Sequence, residues 1–256
     1  LFIGWELVSW ASFFLMALGN QRAALRYLLY AMTGAMAILG GLAWLHALAG
    51  SFDYNAIHTA VAQLSSAHLW LLMLLLGGGF AVKLGLLPVH LWQAEAYAYT
   101  PGPGAAFLGA ISSRMGLYAL IILLLQLIGL ARLDALEIPY TFLTSRELWA
   151  WIAVLTIILP TYTALKQNDA RLLLAWHGIG QSGYMLLGLM TAHSLGSAGG
   201  LLHVFNYATN QAALLLAVFA VMYRTGTADL NRLGGLVTRM PLTFLVLLTG
   251  IIGLAG

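Results

Sequence analysis

The chain has 256 residues, of which 61% are hydrophobic and only 7% are charged, and its formal net charge is +3. A soluble globular domain carries about 25% charged residues, and a disordered chain is more polar still, so both classes are excluded. Eleven basic residues against eight acidic ones are too few for a surface that follows a phosphate backbone, which excludes a nucleic-acid partner.

Apolar segments follow one another along the chain and predict an all-α, polytopic transmembrane helix bundle. A hydrocarbon core of about 30 Å needs about 20 apolar residues in a helix, whereas a membrane β-barrel shows alternating segments of about ten residues. The eight segments lie near 1–19, 23–49, 67–87, 104–130, 149–165, 170–192, 197–223 and 241–256. Because the first and last residues both fall within apolar runs, we expect an internal fragment of a longer membrane protein.

The basic residues are divided unevenly between the two ends of the predicted helices. Seven fall in or beside the odd-numbered loops, namely Arg22, Arg26, Lys166, Arg171, Arg224, Arg232 and Arg239. Only Arg132 and Arg146 fall in the even-numbered loops. Basic loops stay on the cytoplasmic side of a membrane, so we expect the odd-numbered loops there and residue 1 outside.

Glycines and prolines interrupt the third segment and the loop after it, near residues 77–92. Gly78 lies in a run of three glycines, and Pro88 follows ten residues later. Proline breaks or kinks an apolar helix, and a broken helix at membrane depth is tolerated only where it lines a cavity or packs within protein. The pattern therefore predicts a broken helix beside a transport path.

Residues 177–183 read HGIGQSG, which has the glycine spacing of a dinucleotide-binding motif. That motif needs a preceding strand and an acidic residue about 20 positions later, and the sequence has no Asp or Glu between Asp169 and Asp229. The small residues predict close packing of two helices instead. Tryptophans near segment ends are predicted to be interface anchors; they are Trp5, Trp10, Trp70 and Trp92.

Five ionisable residues fall within apolar segments, where each costs about 2.5–3.5 kcal/mol to insert. They are Glu6, Lys83, Arg114, His177 and His203. One interpretation is structural, with one buried ion pair and hydrogen-bonded histidines. The other is a proton path, because glutamate, histidine and a desolvated lysine can exchange protons, whereas arginine supplies a fixed charge.

Helical periodicity of the polar residues favours the interpretation as a proton path. Polar residues recur on one face of the seventh segment, at His203, Asn206, Tyr207, Asn210 and Gln211. The sixth segment repeats the pattern at His177, Gln181 and Tyr184, and Arg114 with Tyr118 forms an i, i+4 pair in the fourth. Together these faces predict a continuous polar axis.

Four stretches resemble the proton-translocating, antiporter-like membrane subunits. Residues 1–7 (LFIGWEL) resemble the family's F-x-x-W-E-L helix, and residues 81–101 resemble its VKLPLVPFHTWLPDAH…APT stretch. Residues 167–176 (QNDARLLLAW) are similar to Q-x-D-x-K-R-L-L-A-Y, and residues 234–256 are similar to GGL…MP…LAG. The resemblance covers essentially the whole chain in the family's order.

This resemblance implies an inverted-repeat antiporter-like fold of about fourteen helices. The chain would be a single transmembrane domain spanning helices five to twelve, with residues 1–130 as the rest of the first repeat and 149–256 as part of the second. Members belong to respiratory complex I, to energy-converting hydrogenases and formate hydrogenlyases, and to Mrp-type sodium/proton antiporters. The family also places the loop after helix five in the cytoplasm.

The resemblance also implies roles for individual residues. Glu6 matches the glutamate of helix five and Lys83 the lysine of helix seven, a pair whose coupling gates proton release. His203 matches a histidine of helix eleven. Arg114 stands where helix eight carries Lys or His, and Gln211 where helix eleven often carries Lys, so both depart from a chain of proton carriers. The residues expected to serve proton translocation are Glu6, Lys83, Arg114, His177, His203, Tyr207 and Gln211.

We therefore expect a proton-translocating subunit of a redox-driven complex of the NADH:quinone oxidoreductase or membrane-bound hydrogenase type. The chain has no cysteine, so flavin, Fe–S or Ni–Fe centres are expected on partner subunits, with no catalytic, cofactor or metal site here. The expected partners are other membrane subunits, the lipid bilayer and protons or Na⁺, in the inner membrane of a bacterial or archaeal cell. The alternatives are a subunit of an Mrp-type Na⁺/H⁺ antiporter and a transport-inactive scaffold, of which the scaffold is favoured by Arg114 and Gln211.

Overall fold

The computed structural model describes residues 2–255, which form helices joined by short loops. The helices in chain order are α1 (Phe2–Ala17), α2 (Gln21–Ala49), α3 (Tyr54–Ala62), α4 (Ser66–Leu84), α5 (Gln93–Tyr99), α6 (Gly102–Ile128), α7 (Leu130–Ala135), α8 (Ser145–Ala164), α9 (Ala170–Met190), α10 (Ser194–Thr225), α11 (Leu236–Arg239) and α12 (Pro241–Ala255). Three π-helical stretches interrupt the α geometry, Met73–Gly77 in α4 and Leu108–Ser112 and Ile122–Ile128 in α6.

The long helices confirm the predicted all-α membrane bundle. Five of them, α2, α4, α6, α8 and α10, are long and apolar enough to cross a membrane, and α1 and α12 are apolar but shorter. Helix α9 has 21 residues and packs between α8 and α10. Each of the eight predicted apolar segments thus coincides with a helix, because continuous apolar runs leave the backbone no other way to satisfy its hydrogen bonds in lipid.

The basic residues lie at the two ends of the bundle, divided between those ends as the sequence predicts. At one end Arg26 forms a 3.0 Å ion pair with Glu95, and the guanidinium of Arg171 lies 5.1 Å from the ring centre of Tyr99. The N-terminal turns of α2 and α9 therefore both meet α5 at this end. Arg132 lies at the other end and donates to two backbone carbonyls at the end of α3.

Asp169 fixes the beginning of α9 at the more basic end. Its carboxylate accepts hydrogen bonds from the backbone N–H groups of Arg171 and Leu172, and it forms a 2.6 Å ion pair with the Arg171 guanidinium. Partial burial raises the pKa of Asp169, but the hydrogen bonds and charge of Arg171 outweigh burial and bring this pKa below its ordinary value. The carboxylate therefore stays ionised and complements the positive end of the helix dipole.

The predicted helix break is present, but it lies at Gly85 and not at Gly78. Gly78 has helical backbone angles, φ −61° and ψ −46°, so α4 continues through the glycine run. Gly85 takes the left-handed conformation, φ +78° and ψ 40°, which ends α4 after Leu84. Pro88 lies in the turn that follows, before α5 begins.

Side chains from other segments bind the backbone groups exposed by this break. Trp92 donates from Nε1 to the Val82 carbonyl at 3.0 Å, and the backbone N–H of Leu87 donates to Thr156 Oγ1 on α8 at 3.1 Å. Trp92 is only 1% exposed, so its prediction as an interface anchor is wrong. Its indole faces the bundle interior, where it adds a second donor to a carbonyl that also accepts from the N–H of Gly85 at the helix end.

The glycines of the HGIGQSG motif bring α9 close to its neighbours. A Cβ atom on Gly183 would lie 2.6 Å from the carbonyl oxygen of Ala153 and 2.8 Å from Cγ1 of Ile157, both on α8. Real Cβ atoms do not approach backbone oxygens so closely, so only glycine allows this separation of α8 and α9. The motif therefore serves helix packing, as its small residues predict.

We expect the substitution Gly183→Ala to lower the free energy of unfolding by about 1–3 kcal/mol, because the added methyl group must push α8 away. The measurement is the thermal unfolding midpoint of the purified protein in detergent. Gly199→Ala on α10 is the matched control, since a Cβ atom there meets nothing within 4 Å. Equal midpoints for the two variants would contradict this packing role.

Candidate proton path

Lys83 lies in the last turn of α4, next to the break, and is only 4% exposed. Its Nζ donates to Ser9 Oγ at 3.0 Å and to the hydroxyl of Tyr27 at 3.1 Å. The same atom lies 5.8 Å from the ring centre of Trp5, so this tryptophan too faces the interior. The lysine is thus held by two hydroxyl groups, aromatic rings and the negative end of a helix.

Glu6 and Lys83, the pair that the resemblance implies, are not joined by an ion pair. The ion pairs among residues 2–255 are Arg26–Glu95, Arg146–Asp134 and Arg171–Asp169. Ser9, one turn after Glu6 on α1, bonds the lysine in its place. A cavity of about 10 Å³ lies beside Lys83, Ser9 and Tyr27, at the lower limit of the volume that can hold one water molecule.

Arg114 is a buried cation on α6 and is 8% exposed. Its Nη1 atom donates to Ser182 Oγ at 2.9 Å, and its guanidinium lies 4.3 Å from the ring centre of Tyr207. Its Nε and Nη2 atoms are buried and have no hydrogen-bond partner among the described residues. Over the same range no carboxylate pairs with Arg114, so its charge stays uncompensated within the bundle.

Ser182 links Arg114 to the helix that carries Lys83. Its hydroxyl accepts the hydrogen bond from Arg114 and lies 3.3 Å from the carbonyl oxygen of Leu84, to which it donates. Leu84 directly follows Lys83 at the broken end of α4. One buried serine therefore joins Arg114 to the backbone of α4 one residue after Lys83, whose ammonium group bonds Ser9 and Tyr27. The sequence gives only a weak signal for it, a small polar residue within a packing motif.

A glutamine joins the two predicted histidines. Gln181 is 5% exposed; its Oε1 lies 2.6 Å from Nε2 of His203 on α10, and its Nε2 lies 3.0 Å from Nε2 of His177 one turn earlier on α9. Both histidines are half-buried. Gln181 lies beside Ser182, so the histidine pair is next to the Arg114 contact. Periodicity places Gln181 on the polar face but does not reveal that it bridges two helices.

The polar face of α10 is divided between two sides of the helix. Tyr207 and Gln211, each 1% exposed, point inward, where the Tyr207 hydroxyl donates to the Gly109 carbonyl at 3.3 Å and Gln211 donates to the Leu174 carbonyl at 3.0 Å. Asn206 donates to the carbonyl of Gly253 on α12. The predicted single face is therefore wrong for the asparagines, because α10 packs against α12 as well as α9.

Tyrosines at the ends of the predicted stripes lie outside the buried path. Tyr118 is 64% exposed and Tyr184 is 48% exposed. The buried path contains Lys83, Arg114, Tyr207 and Gln211 together with Ser9, Tyr27, Gln181 and Ser182, while Glu6, His177 and His203 lie half-buried along it. Tyr27 has no local sequence signal, since only the packing of α2 against α4 brings its hydroxyl to Lys83.

Several buried polar atoms along these helices have no hydrogen-bond partner in the part of the chain that the structure describes. They are Glu6 Oε1, His90 Nδ1, Gln93 Oε1, Ser113 Oγ, Arg114 Nε and Nη2, His177 Nδ1 and Gln211 Oε1. Buried polar atoms in folded proteins are normally bonded to protein or to water. Over residues 2–255 no three His, Asp or Glu side chains are grouped so as to hold a metal ion.

Comparison with known proteins finds one family across the whole chain. The family described as "NADH:quinone oxidoreductase/Mrp antiporter, TM" matches residues 1–256. NADH-quinone oxidoreductase subunit N of Desulforudis audaxviator (strain MP104C) is 30% identical over 247 residues, which cover 95% of this chain and 48% of that protein. An Na(+)/H(+) antiporter subunit of Alkalihalophilus pseudofirmus is 30% identical over 282 residues, which cover 100% of this chain and 33% of that protein.

A solved structure gives the same architecture. A chain in the structure of the membrane-bound sulfane sulfur reductase (MBS), an archaeal respiratory membrane complex, superposes with a TM-score of 0.89 and 30% sequence identity. The match covers 100% of this chain and 42% of that chain. The present chain therefore spans half or less of the length of these three proteins.

Proposed function

Because this chain belongs to the NADH:quinone oxidoreductase/Mrp antiporter transmembrane family, we propose that it moves protons along its buried polar path within a redox-driven membrane complex. The observation that carries the proposal is the pair of buried cations, Lys83 at the broken end of α4 and Arg114 on α6. Ser182 lies between their helices and bonds both Arg114 and the backbone carbonyl next to Lys83. Ionisable groups buried between membrane helices mark ion and proton pathways.

Lys83 is the proton-exchanging group in this proposal. Its hydrogen bonds to Ser9 and Tyr27 can be remade as the ammonium loses or gains a proton, because both hydroxyls can donate as well as accept. Glu6 lies on the same helix as Ser9 and stabilises the charged form of the lysine. When Lys83 turns from the Glu6 side toward the Arg114 side, the like charge favours release of its proton.

Arg114 serves as a fixed positive charge, since a guanidinium does not release its proton. The buried polar atoms without protein partners support a path that contains water, because such atoms recur from Glu6 through Arg114 to Gln211. Water and side chains together can then conduct protons between groups that do not touch. Gln211 serves in this path by hydrogen bonding and not by carrying charge.

The driving force comes from partner subunits in this proposal. Fe–S and Ni–Fe centres need cysteine ligands, and the chain has no cysteine. In this proposal other subunits hold these centres and any flavin, and their redox chemistry changes the charge near one end of the path. Other membrane subunits are the expected neighbours, as in the respiratory complex of the solved relative. We place the complex in the inner membrane of a bacterium or archaeon.

A second candidate is a role in an Na⁺/H⁺ antiporter without redox chemistry. The observation that favours it is the 30% identity to the antiporter subunit of Alkalihalophilus pseudofirmus, which extends over the whole of this chain. In that case Lys83 exchanges protons in response to sodium movement. A transport-inactive scaffold is the third possibility. It is favoured by Arg114 and Gln211, whose side chains cannot carry protons.

The deciding experiment is purification of the full-length protein from its native membrane in mild detergent, with mass spectrometry of the proteins that accompany it. Flavin, Fe–S or nickel subunits together with donor-dependent proton uptake by vesicles are the expected result. Small membrane subunits alone, with sodium-dependent proton exchange in the absence of an electron donor, would support the antiporter. If neither assay detects proton movement, the redox-driven pump and the antiporter are both contradicted, and the transport-inactive scaffold remains.

A further inference from the structure

The bridge between two histidines points to a coupling device inside the path. We propose that Gln181 is a positioning residue that makes the protonation of His177 and His203 mutually dependent, a role that rests on the proton transport proposed above. Gln181 is 5% exposed, and its amide contacts the Nε2 atom of each imidazole, at 3.0 Å for His177 and 2.6 Å for His203.

The chemistry of the amide imposes the dependence. A glutamine side chain has an acceptor oxygen on one side and a donor NH₂ group on the other. As placed, Oε1 accepts from a protonated Nε2 of His203, and the NH₂ group donates to an unprotonated Nε2 of His177. Rotation of the amide by half a turn reverses both hydrogen bonds at once. With both bonds intact, one of the two facing Nε2 atoms carries a proton and the other does not.

Among the described residues neither histidine forms an ion pair with a carboxylate. Of the other helices that pack against α9, α5 carries Glu95, which pairs with Arg26, and α8 carries Glu147, which caps its own helix. The sequence has no Asp or Glu between Asp169 and Asp229, a range that includes all of α9 and α10, and α12 carries no charged residue. From α6 the Arg114 guanidinium contacts Ser182, the residue next to Gln181. The ring of Tyr184 lies 6.2 Å from that of His203, and Tyr207 lies one turn further along α10. Gln181 is therefore the group that sets which of the two facing Nε2 atoms carries a hydrogen.

The consequence is a two-state relay. A second proton cannot be added to the facing nitrogen of the neutral histidine without breaking a buried hydrogen bond, because the amide would then meet an N–H group with its own N–H group. Proton arrival at one histidine is thereby tied to proton departure from the other and to rotation of the amide. A carboxylate in place of the amide would accept from both imidazoles and would remove the dependence.

The test compares Gln181→Met and Gln181→Glu with the wild-type full-length protein in its complex. Methionine keeps the length of the side chain without its hydrogen bonds, and glutamate keeps the shape but accepts on both sides. Gln126→Met is the matched control, because Gln126 lies on α6 with its side chain exposed. The first readout is the pH titration of His177 and His203 by NMR of the ¹⁵N-histidine-labelled complex in nanodiscs. The second is proton uptake by vesicles.

In the wild type we expect the two histidines to titrate in separate steps. In Gln181→Met the steps should converge and proton uptake should fall about tenfold, the factor that one lost hydrogen bond to a charged group implies. In Gln181→Glu both imidazoles should become protonated together at higher pH. Gln126→Met should match the wild type in both readouts.

Separated steps that persist unchanged in Gln181→Met and in Gln181→Glu would overturn the coupling. The titration does not depend on transport, so it also separates this inference from the proposed function. If the complex moves no protons but the titrations respond as expected, the coupling stands and proton transport fails. If Gln181→Met does not assemble, Gln181→Glu provides the same decision, because loss of the separate steps is expected for it as well.

Discussion

Replacing Lys83 by alanine is expected to reduce proton uptake by about a hundredfold while the complex still assembles. Lys83 is one of only two lysines in the chain, and it is the one buried between Ser9 and Tyr27 at the end of a broken helix. Its removal takes away the group that exchanges protons, whereas the helices around it are held by apolar packing. The measurement is donor-driven proton uptake by vesicles, normalised to the amount of assembled complex.

The other lysine supplies the control for this experiment. Lys166 lies in the exposed loop between α8 and α9, so Lys166→Ala removes the same side chain without touching the path. It should leave proton uptake unchanged. Full proton uptake by Lys83→Ala would exclude the lysine as a proton-exchanging group, and the path would then need a different carrier.

The substitution Arg114→Leu is expected to reduce proton transport without reducing the stability of the protein. The guanidinium is buried with two nitrogen atoms that lack protein partners and with no carboxylate beside it in the described structure. Removing a desolvated charge in favour of an apolar group should keep the free energy of unfolding or raise it by about 1–3 kcal/mol. Proton uptake should fall at least about tenfold, because the fixed charge that promotes proton release from Lys83 is lost.

The measurements for this variant are the thermal unfolding midpoint of the complex and its proton uptake. Arg239→Leu is the control, since Arg239 is exposed at the end of α11, and it should change neither quantity. If a complex with both Arg114→Leu and Gln211→Ala still pumps at full stoichiometry, the result supports the transport-inactive scaffold. It also excludes the role of Arg114 as a fixed charge in transport. A large loss of stability in Arg114→Leu would show that the arginine is structural.

The helices and the division of basic residues could be predicted because both depend on local composition. Long apolar runs have to be helical in lipid, and charge at their ends is visible in the sequence. The position of the break was harder to predict, since the run around Gly78 is the more conspicuous signal. Gly85 ends the helix because its backbone takes a left-handed conformation, whereas Gly78 keeps helical angles.

The partners of the buried charges could not be predicted, because they depend on which helices face one another. Lys83 bonds Ser9 and Tyr27 and not Glu6, since the packing of α1 and α2 brings two hydroxyls nearer than the carboxylate. Gln181 belongs to a predicted polar face, yet its role follows only from the approach of α10 with His203. Periodicity identifies the face of a helix, and tertiary packing decides what that face meets.

The π-helical stretches determine where relatives of different length should be aligned. Such a stretch contains one residue more than the α-helical turn that it replaces. We expect deletion of one residue from the π-helical stretch Leu108–Ser112 to return α6 to α geometry and to leave Arg114 directed toward Ser182. The same deletion elsewhere before Arg114 turns its side chain by about 100° around the helix axis. Single-residue gaps between relatives therefore belong in this stretch, where α6 absorbs an insertion without redirecting its buried cation.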